Sequence, residues 1–540
     1  MPAGCRRTAS VLLLLLLGGM GAAWALDRSR VDAAGADEVG RALYLEGRRP
    51  DGTPLLARRS GGVAVSGAQA ACVNCHRRSG LGGTEGLSHV PPVTGDALLQ
   101  SQPPGKGPSA TGRGRPAYTR AALLRALQEG VDPAGRTLHY LMPRYDLDDR
   151  EVRGLLRYLG ALPIDRFRPD ENGSLHFATV FTPDVPAGSR RAIRDVLQAC
   201  FGEHNAGRAP ERGRRKLAAD MSLRRPLPWE LHVWDLQGPR STWDAQLADH
   251  ARGQPVLALV GGAGAGHWAP VHGYCERTGL PCLFPHVELP VDSPAAFSAL
   301  YLSKGALLEA GLIARHLAPA RPEGRVVQVL RESDDTARAA ARALDRLLES
   351  DRVAHETLVL GRGPASPGPL LPQMSERDSL VLWLRPEDLA DLKAEPAPAA
   401  RVFVSATLAA RDAVPLPPGW KARALMAYPF ELPEVRSAAM ERIKGWMRGK
   451  GLVPQDERAE GDAYLACTAL RMGMQDSESH PGRDYLLEKI ESNIERWPVL
   501  GLYPRPTLGP GQRFASKTGY IVRFDAETGQ WVPVGERSAP

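Results

Sequence analysis

From residue 175 onward, short apolar runs alternate with longer stretches whose apolar residues recur at helical spacing. The runs include "LHFATVF" (175–181), "ELHVWDL" (230–236), "PVLALVG" (255–261) and "PCLFPHV" (281–287). A second set is "RVVQVL" (325–330), "ETLVL" (356–360), "SLVLWL" (379–384) and "RVFVSA" (401–406). Between them lie amphipathic segments. In one, Ile193, Val196, Leu197, Cys200 and Phe201 form an i, i+3, i+4, i+7, i+8 stripe. Strands that alternate with helices predict βαβ units and parallel sheets. Three helical segments follow, near 433–449, 458–475 and 483–493, and then a tail read as a hairpin or meander with turns at "KTG" and "ETG".

The first third is different. Residues 1–25 carry Arg6 and Arg7, the apolar run "VLLLLLLGG" (11–19) and a small-x-small stretch at Ala23, Trp24 and Ala25. That predicts a secretory leader cleaved after Ala25, hence a periplasmic protein. No later run approaches the ~18 apolar residues a membrane span needs. Export implies an oxidising compartment, where thiols are paired or ligated. The chain of 540 residues is too long for one core. Four parts follow the leader: 27–165, a linker at 166–173 ("RFRPDENG"), a large region at 174–530 and a tail at 531–540. The net charge of +7 is spread along the chain with no basic block interleaved with aromatics, which argues against nucleic acid.

Within 27–165 stands "AACVNCHRRSG" (70–80). Chance would place a Cys-x-x-Cys-His in such a chain only about 0.002 times. A redox dithiol would need a βαβ context, and a zinc site would need a second ligand pair nearby; neither is present. One covalently bound haem c accounts for all three residues. Cys72 and Cys75 would form the thioethers, and His76 would ligate the iron. Met142, in "LMPRYDL", is the candidate for the second axial position; His89 and His139 are its rivals. The flanks resemble class I cytochromes c. Gly40, Leu43 and Tyr44 in "DEVGRALYLEG" match the N-terminal helix of that family, with a glycine at a close helix crossing. Asp148 and Glu151 head a capped final helix with Val152, Leu155, Leu156 and Leu159 on its apolar face. The resemblance implies an all-α domain in which these two helices cross. About 25 residues between Tyr44 and Cys72 exceed the family pattern and are read as a hairpin or loop.

The order of elements over roughly 172–530 resembles a type I periplasmic binding protein, as in substrate-binding components for branched-chain amino acids. It implies two α/β lobes with a ligand cleft between them. Cleft candidates at strand and crossover ends are Thr182, Gly262, Gly264, Trp268, Tyr301 and Tyr428. "LVGGAGAGHW" (259–268) is either a ligand loop, where helix N–H groups would meet an anion, or a plain glycine-rich turn. Gly264, Gly266 and Ala269 also spell a weak dinucleotide fingerprint. Cys275 and Cys282 are a candidate disulfide, and Cys200 and Cys467 are either bridged or buried thiols. His267, His272 and His286 lack metal spacing, and no catalytic triad, zinc set or P-loop occurs.

The whole reads as a periplasmic electron carrier rather than a catalyst. It would serve a partner oxidoreductase, a dehydrogenase or terminal cytochrome, and carry a module for a solute such as an amino acid or organic acid. The alternative is a solute-binding protein of a transport or sensory system with haem as redox sensor or structural group.

Overall fold

The computed structural model describes residues 38–85, 88–103, 114–162, 167–206, 227–266, 268–320, 324–361, 374–392, 399, 401–475, 481–496 and 501–539. The leader expected at 1–25 and His267 lie outside them. The chain divides into two compact units between residues 166 and 167.

The first unit is not all-α. It holds short helices together with a three-stranded antiparallel sheet, β2–β1–β5, built from β1 (Leu56–Arg58), β2 (Ala64–Ser66) and β5 (Arg144–Tyr145). A small hairpin joins β3 (Gly83–Glu85) to β4 (Ser88–Val90). The physical reason is the segment between Tyr44 and Cys72. It folds back as the β1–β2 hairpin, and β5, just after Met142, satisfies the free edge of β1.

The helix crossing has a steric cause. A Cβ on Gly40 would lie 2.3 Å from the Gly154 carbonyl oxygen and 2.6 Å from Tyr158 Cβ, so only glycine lets these backbones approach. Tyr44 and Tyr158 pack beside the crossing, with ring centroids 5.3 Å apart. The helix Asp149–Ala161 starts with a reciprocal capping box between Asp148 and Glu151. Val152, Leu155 and Leu159 face a core shared with Leu43, Leu98 and Leu127.

The second unit has two α/β lobes. The sheet of the first lobe comprises β6 (Leu175–Phe181), β7 (Trp229–Asp235), β8 (Ala258–Val260), β9 (Ala263–Gly264), β10 (Cys282–Leu283), β11 (His286–Val287), β12 (Ala299–Ser303) and β18 (Phe514–Ser516). All its pairings are parallel, and β7 lies outside β6. The sheet of the second lobe runs β14–β13–β15–β16–β17–β19–β20. Its members are β13 (Val326–Arg331), β14 (His355–Leu360), β15 (Ser379–Trp383), β16 (Arg401–Ser405), β17 (Ala424–Tyr428), β19 (Tyr520–Asp525) and β20 (Gln530–Pro533). It is parallel except at β17–β19 and β19–β20. Parallel strands covered on both faces must be apolar throughout, which is why Ser379–Trp383 is buried at every position.

The chain passes between the lobes three times: after β12, after β17 and after β18. The last passage corrects the reading of the tail. "ETG" is the turn of the β19–β20 hairpin, but "KTG" (517–519) carries the chain from one sheet to the other. Pairing across some 90 to 210 residues put β18 beside β12 and β19 beside β17, and no local pattern encodes that. Helices Pro433–Gly449, Glu457–Met474 and Arg483–Asn493 return to the first lobe. There the Cys200–Cys467 disulfide ties Glu457–Met474 to helix Ala187–Ala206. A second disulfide joins Cys275 to Cys282. Among the described residues no helix is long and apolar enough to cross a membrane.

Candidate functional site

Two places gather functional side chains, one in each unit. In the first unit Cys72 precedes the single helical turn Val73–His76. Two buried tyrosines pin the ends of this segment. Tyr145 donates from its hydroxyl to the Ala70 carbonyl at 3.0 Å, and Tyr44 donates to the Arg77 carbonyl at 2.6 Å. Arg77, directly after the turn, sits at φ 63°, a strained conformation for a side-chain-bearing residue. The tyrosine clamp holds it there.

His76 is buried, with Nδ1 3.1 Å from the Pro91 carbonyl oxygen. That acceptor puts the proton on Nδ1 and leaves the lone pair on Nε2. Burial lowers the pKa of the ring, so it is neutral at pH 7. Cys72 and Cys75 belong to neither disulfide. Met142 is half-buried and packs against the same apolar cluster as Cys72 and Val73. Its rivals are less suited: His89 and His139 are both exposed.

In the second unit a cavity of about 310 Å³ lies beyond the carboxyl ends of strands from both lobes. The first lobe contributes Asp184, Ala265 and Gly266 to its wall. The second lobe contributes the segments after β13 and β15, which read "RESDDT" (331–336) and "LRPED" (384–388). The two loops are cross-linked reciprocally. Arg331 Nε donates to Asp388 Oδ1 at 2.7 Å, and Arg385 Nε donates to Asp334 Oδ2 at 2.6 Å. Arg385 also reaches across to Glu288 of the first lobe.

The electrostatics follow from these pairs. The lining has five carboxylates, Asp184, Asp334, Asp335, Glu387 and Asp388, against two guanidiniums. Both guanidiniums are engaged by carboxylates, so Asp184 and Glu387 face the cavity with no arginine of the lining left to balance them. The helix Asp335–Ser350 starts here, but its N-terminus is already capped: the Asp334 carboxylate accepts from Ala337 N at 3.0 Å. With that capping and the acidic wall, the cavity suits a cation or an amine and repels a solute of net negative charge.

The sequence-chosen cleft residues sit elsewhere. Thr182 is buried and donates to Asp184, which does line the cavity. Gly262 lets its chain pass within contact of β6, since a Cβ there would lie 2.5 Å from the Val180 carbonyl oxygen. Gly264 is covered by Trp268, whose Cε3 would lie 2.9 Å from an added Cβ. Trp268 is therefore a buried core side chain and not a platform for a ligand. Tyr301 is buried with its hydroxyl 2.9 Å from His272 Nδ1, beside a hollow of only about 10 Å³ at the lobe crossovers. That hollow has room for one water at most. Tyr428 is buried and donates to Asp412 at 2.8 Å while accepting from Arg436. The cavity residues had a sequence signal: each lining segment of the second lobe is an apolar run followed by Arg and then acids. That signal marks a strand's carboxyl end where the chemistry of such folds sits.

No protein-family model matches this chain, and no curated protein matches it. It is similar to several solved structures. One is a branched-chain amino acid ABC transporter from Thermus thermophilus with bound valine, at 13% identity over 68% of this chain and 97% of that one, TM-score 0.49. Another is a substrate-binding periplasmic protein from Ralstonia solanacearum, at 13% identity over 67% and 100%, TM-score 0.47. A leucine-binding protein from Thermotoga maritima is similar at 11% identity over 68% and 99%, TM-score 0.47.

Proposed function

We propose that this chain is an exported solute-binding protein. Its second unit takes a small amine-bearing or cationic solute between its lobes, and its first unit holds one haem c. The observation that carries the solute reading is the acidic cavity walled by both lobes. A volume of about 310 Å³ is at the lower end of small-molecule sites. Among the solutes expected from sequence, an amino acid with a basic side chain suits this wall, and a simple organic acid does not.

The residues of the first unit fit a covalently held haem. Two cysteines outside the disulfides lie on one turn, and a neutral histidine has its Nδ1–H fixed on Pro91 and its lone pair on Nε2. An orienting hydrogen bond of this kind is what a metal-ligating histidine needs. Cys72 and Cys75 would anchor the group, and His76 and Met142 would ligate its iron. So bound, the group supplies one-electron chemistry. Such a group would give the first unit a redox role, and a redox partner protein is part of the proposal.

The test is a thermal-shift panel on the full chain. Arginine, lysine and short diamines should raise the melting temperature of the second unit, and succinate and benzoate should not. The Asp184→Asn, Glu387→Gln double variant should reduce the shift at least tenfold in apparent affinity. Stabilisation by the acids and none by the amines would overturn the cationic assignment.

A further inference from the structure

His176 on β6 stands in register with Glu230 on β7, and the next same-face pair is Ala178 with His232. Registered residues of parallel strands project from one face, as do residues two apart on one strand. His176, Glu230 and His232 therefore share one face at the amino ends of two strands. His176 lies within reach of both of the others. His176 Nδ1 is 2.8 Å from His232 Nε2 and 3.7 Å from Glu230 Oε2. On the other side of the ring, His176 Nε2 is 3.2 Å from Asp170 Oδ2. Asp170 is itself held in a tight turn, accepting from the Asn172 and Ser174 amides at 3.0 and 2.6 Å.

This arrangement has a direction. The Asp170 carboxylate takes the Nε2 proton of His176, which turns the Nδ1 lone pair toward His232 and Glu230. Carboxylate behind, imidazole between and metal in front is the usual support of a histidine ligand. Ligands about 2.0–2.2 Å from one ion lie roughly 3–3.5 Å from each other, so the 2.8 and 3.7 Å separations from His176 are close to that spacing, and the half-exposed Glu230 must turn its carboxylate toward His232 to complete the set. Glu230 is half exposed on the outer strand, so an ion can enter from solvent. The place is separate from the solute cavity, which lies past the opposite, carboxyl ends of the strands.

We infer that His176, Glu230 and His232 form a binding site for a divalent cation of the zinc class, with Asp170 as the residue that orients His176. Two imidazoles and one carboxylate make a three-ligand set with an open fourth position. In the sequence the four residues are spread over three short stretches, and only the pairing of β6 with β7 brings them together.

The experiment uses the full, untagged chain with its haem, treated with chelator and dialysed against 10 µM ZnCl2 (about that level), with zinc counted by elemental analysis so that iron does not interfere. About one zinc per chain is expected to be retained. The His176→Ala, His232→Ala double variant should lose at least about tenfold in affinity, and Glu230→Gln, at a half-exposed strand position that does not threaten folding, should lose a similar factor. Asp170→Asn should weaken binding about tenfold while leaving the stoichiometry at one. Circular dichroism should show each variant folded. Zinc retention equal in the wild type and Glu230→Gln, or no retention by the wild type, would overturn the site. Neither result bears on the solute cavity.

Discussion

Arg385 of the second lobe grips Glu288 of the first through two hydrogen bonds, Nη1 to Oε1 at 3.0 Å and Nη2 to Oε2 at 2.8 Å. A paired guanidinium–carboxylate contact of this kind fixes orientation as well as attraction. Arg385 also belongs to the cavity wall, so the contact joins that wall to the first lobe. The Glu288→Gln variant keeps the Arg385–Asp334 pair and removes only the charge of the latch. It is expected to weaken solute affinity by about 10–100-fold, matching ~1.5–3 kcal/mol for a charged hydrogen-bonded contact. Small-angle scattering should show a larger radius of gyration in the variant. An unchanged affinity and radius would show that the latch does not set closure.

The proposed ligation by Met142 has a spectroscopic consequence. Purified, reduced protein is expected to show a methionine-ligated haem c spectrum that resists carbon monoxide, and Met142→Ala should lose that signature and bind the gas. Wild-type protein that binds carbon monoxide at once would place another group, or none, opposite His76.

Gly40 is expected to tolerate no side chain. In Gly40→Ala the new methyl meets backbone, the Gly154 carbonyl oxygen, rather than a flexible side-chain end. Overpacking of that kind costs about 1–3 kcal/mol. Gly83→Ala, where an added Cβ meets nothing within 4 Å, is the control. Equal melting temperatures for the two variants would show that the helices separate at no cost.

Glu309 predicts a pH dependence. It is fully buried on helix Ala306–Leu317 and accepts from Thr407 N and Oγ1, both at 2.7 Å, and from Ser405 Oγ. Burial outweighs these donors and pushes its pKa up to about 7. The folded state thus binds the proton more tightly than the unfolded state. Between pH ~4.5 and ~7 the unfolded chain carries fewer protons, so stability falls as pH rises through that window, by at most about 3 kcal/mol. Glu309→Gln should flatten the melting temperature against pH over that range. A slope identical to wild type would assign the pH dependence to other groups.

Much of the fold was legible because its determinants are local. Strands such as Leu175–Phe181 and Arg401–Ser405 appear as apolar runs, since a strand covered on both faces has no wet side to show. The close crossing at Gly40 and the cap at Asp148 depend on residues within one turn of each other or on a glycine whose purpose is evident. The haem reading of Cys72, Cys75 and His76 rests on groups within five consecutive residues and stays part of the proposal. The candidate cleft was not. Trp268 and Tyr301 looked available at strand ends, but their large apolar surfaces are better buried than exposed, and the core took them.

By itself, then, the sequence determined the succession of strands and helices and the two-part organisation. Only the tertiary structure decided which strands share a sheet, that residues 517–519 cross between lobes, and that Arg331 answers Asp388 while Arg385 answers Asp334. It also decided that His176 and His232, 56 positions apart, meet at 2.8 Å. The reason is physical. Propensity and periodicity act over a few residues, whereas charge pairing, ligand convergence and cavity shape depend on side chains brought together by strand pairing across long stretches of chain.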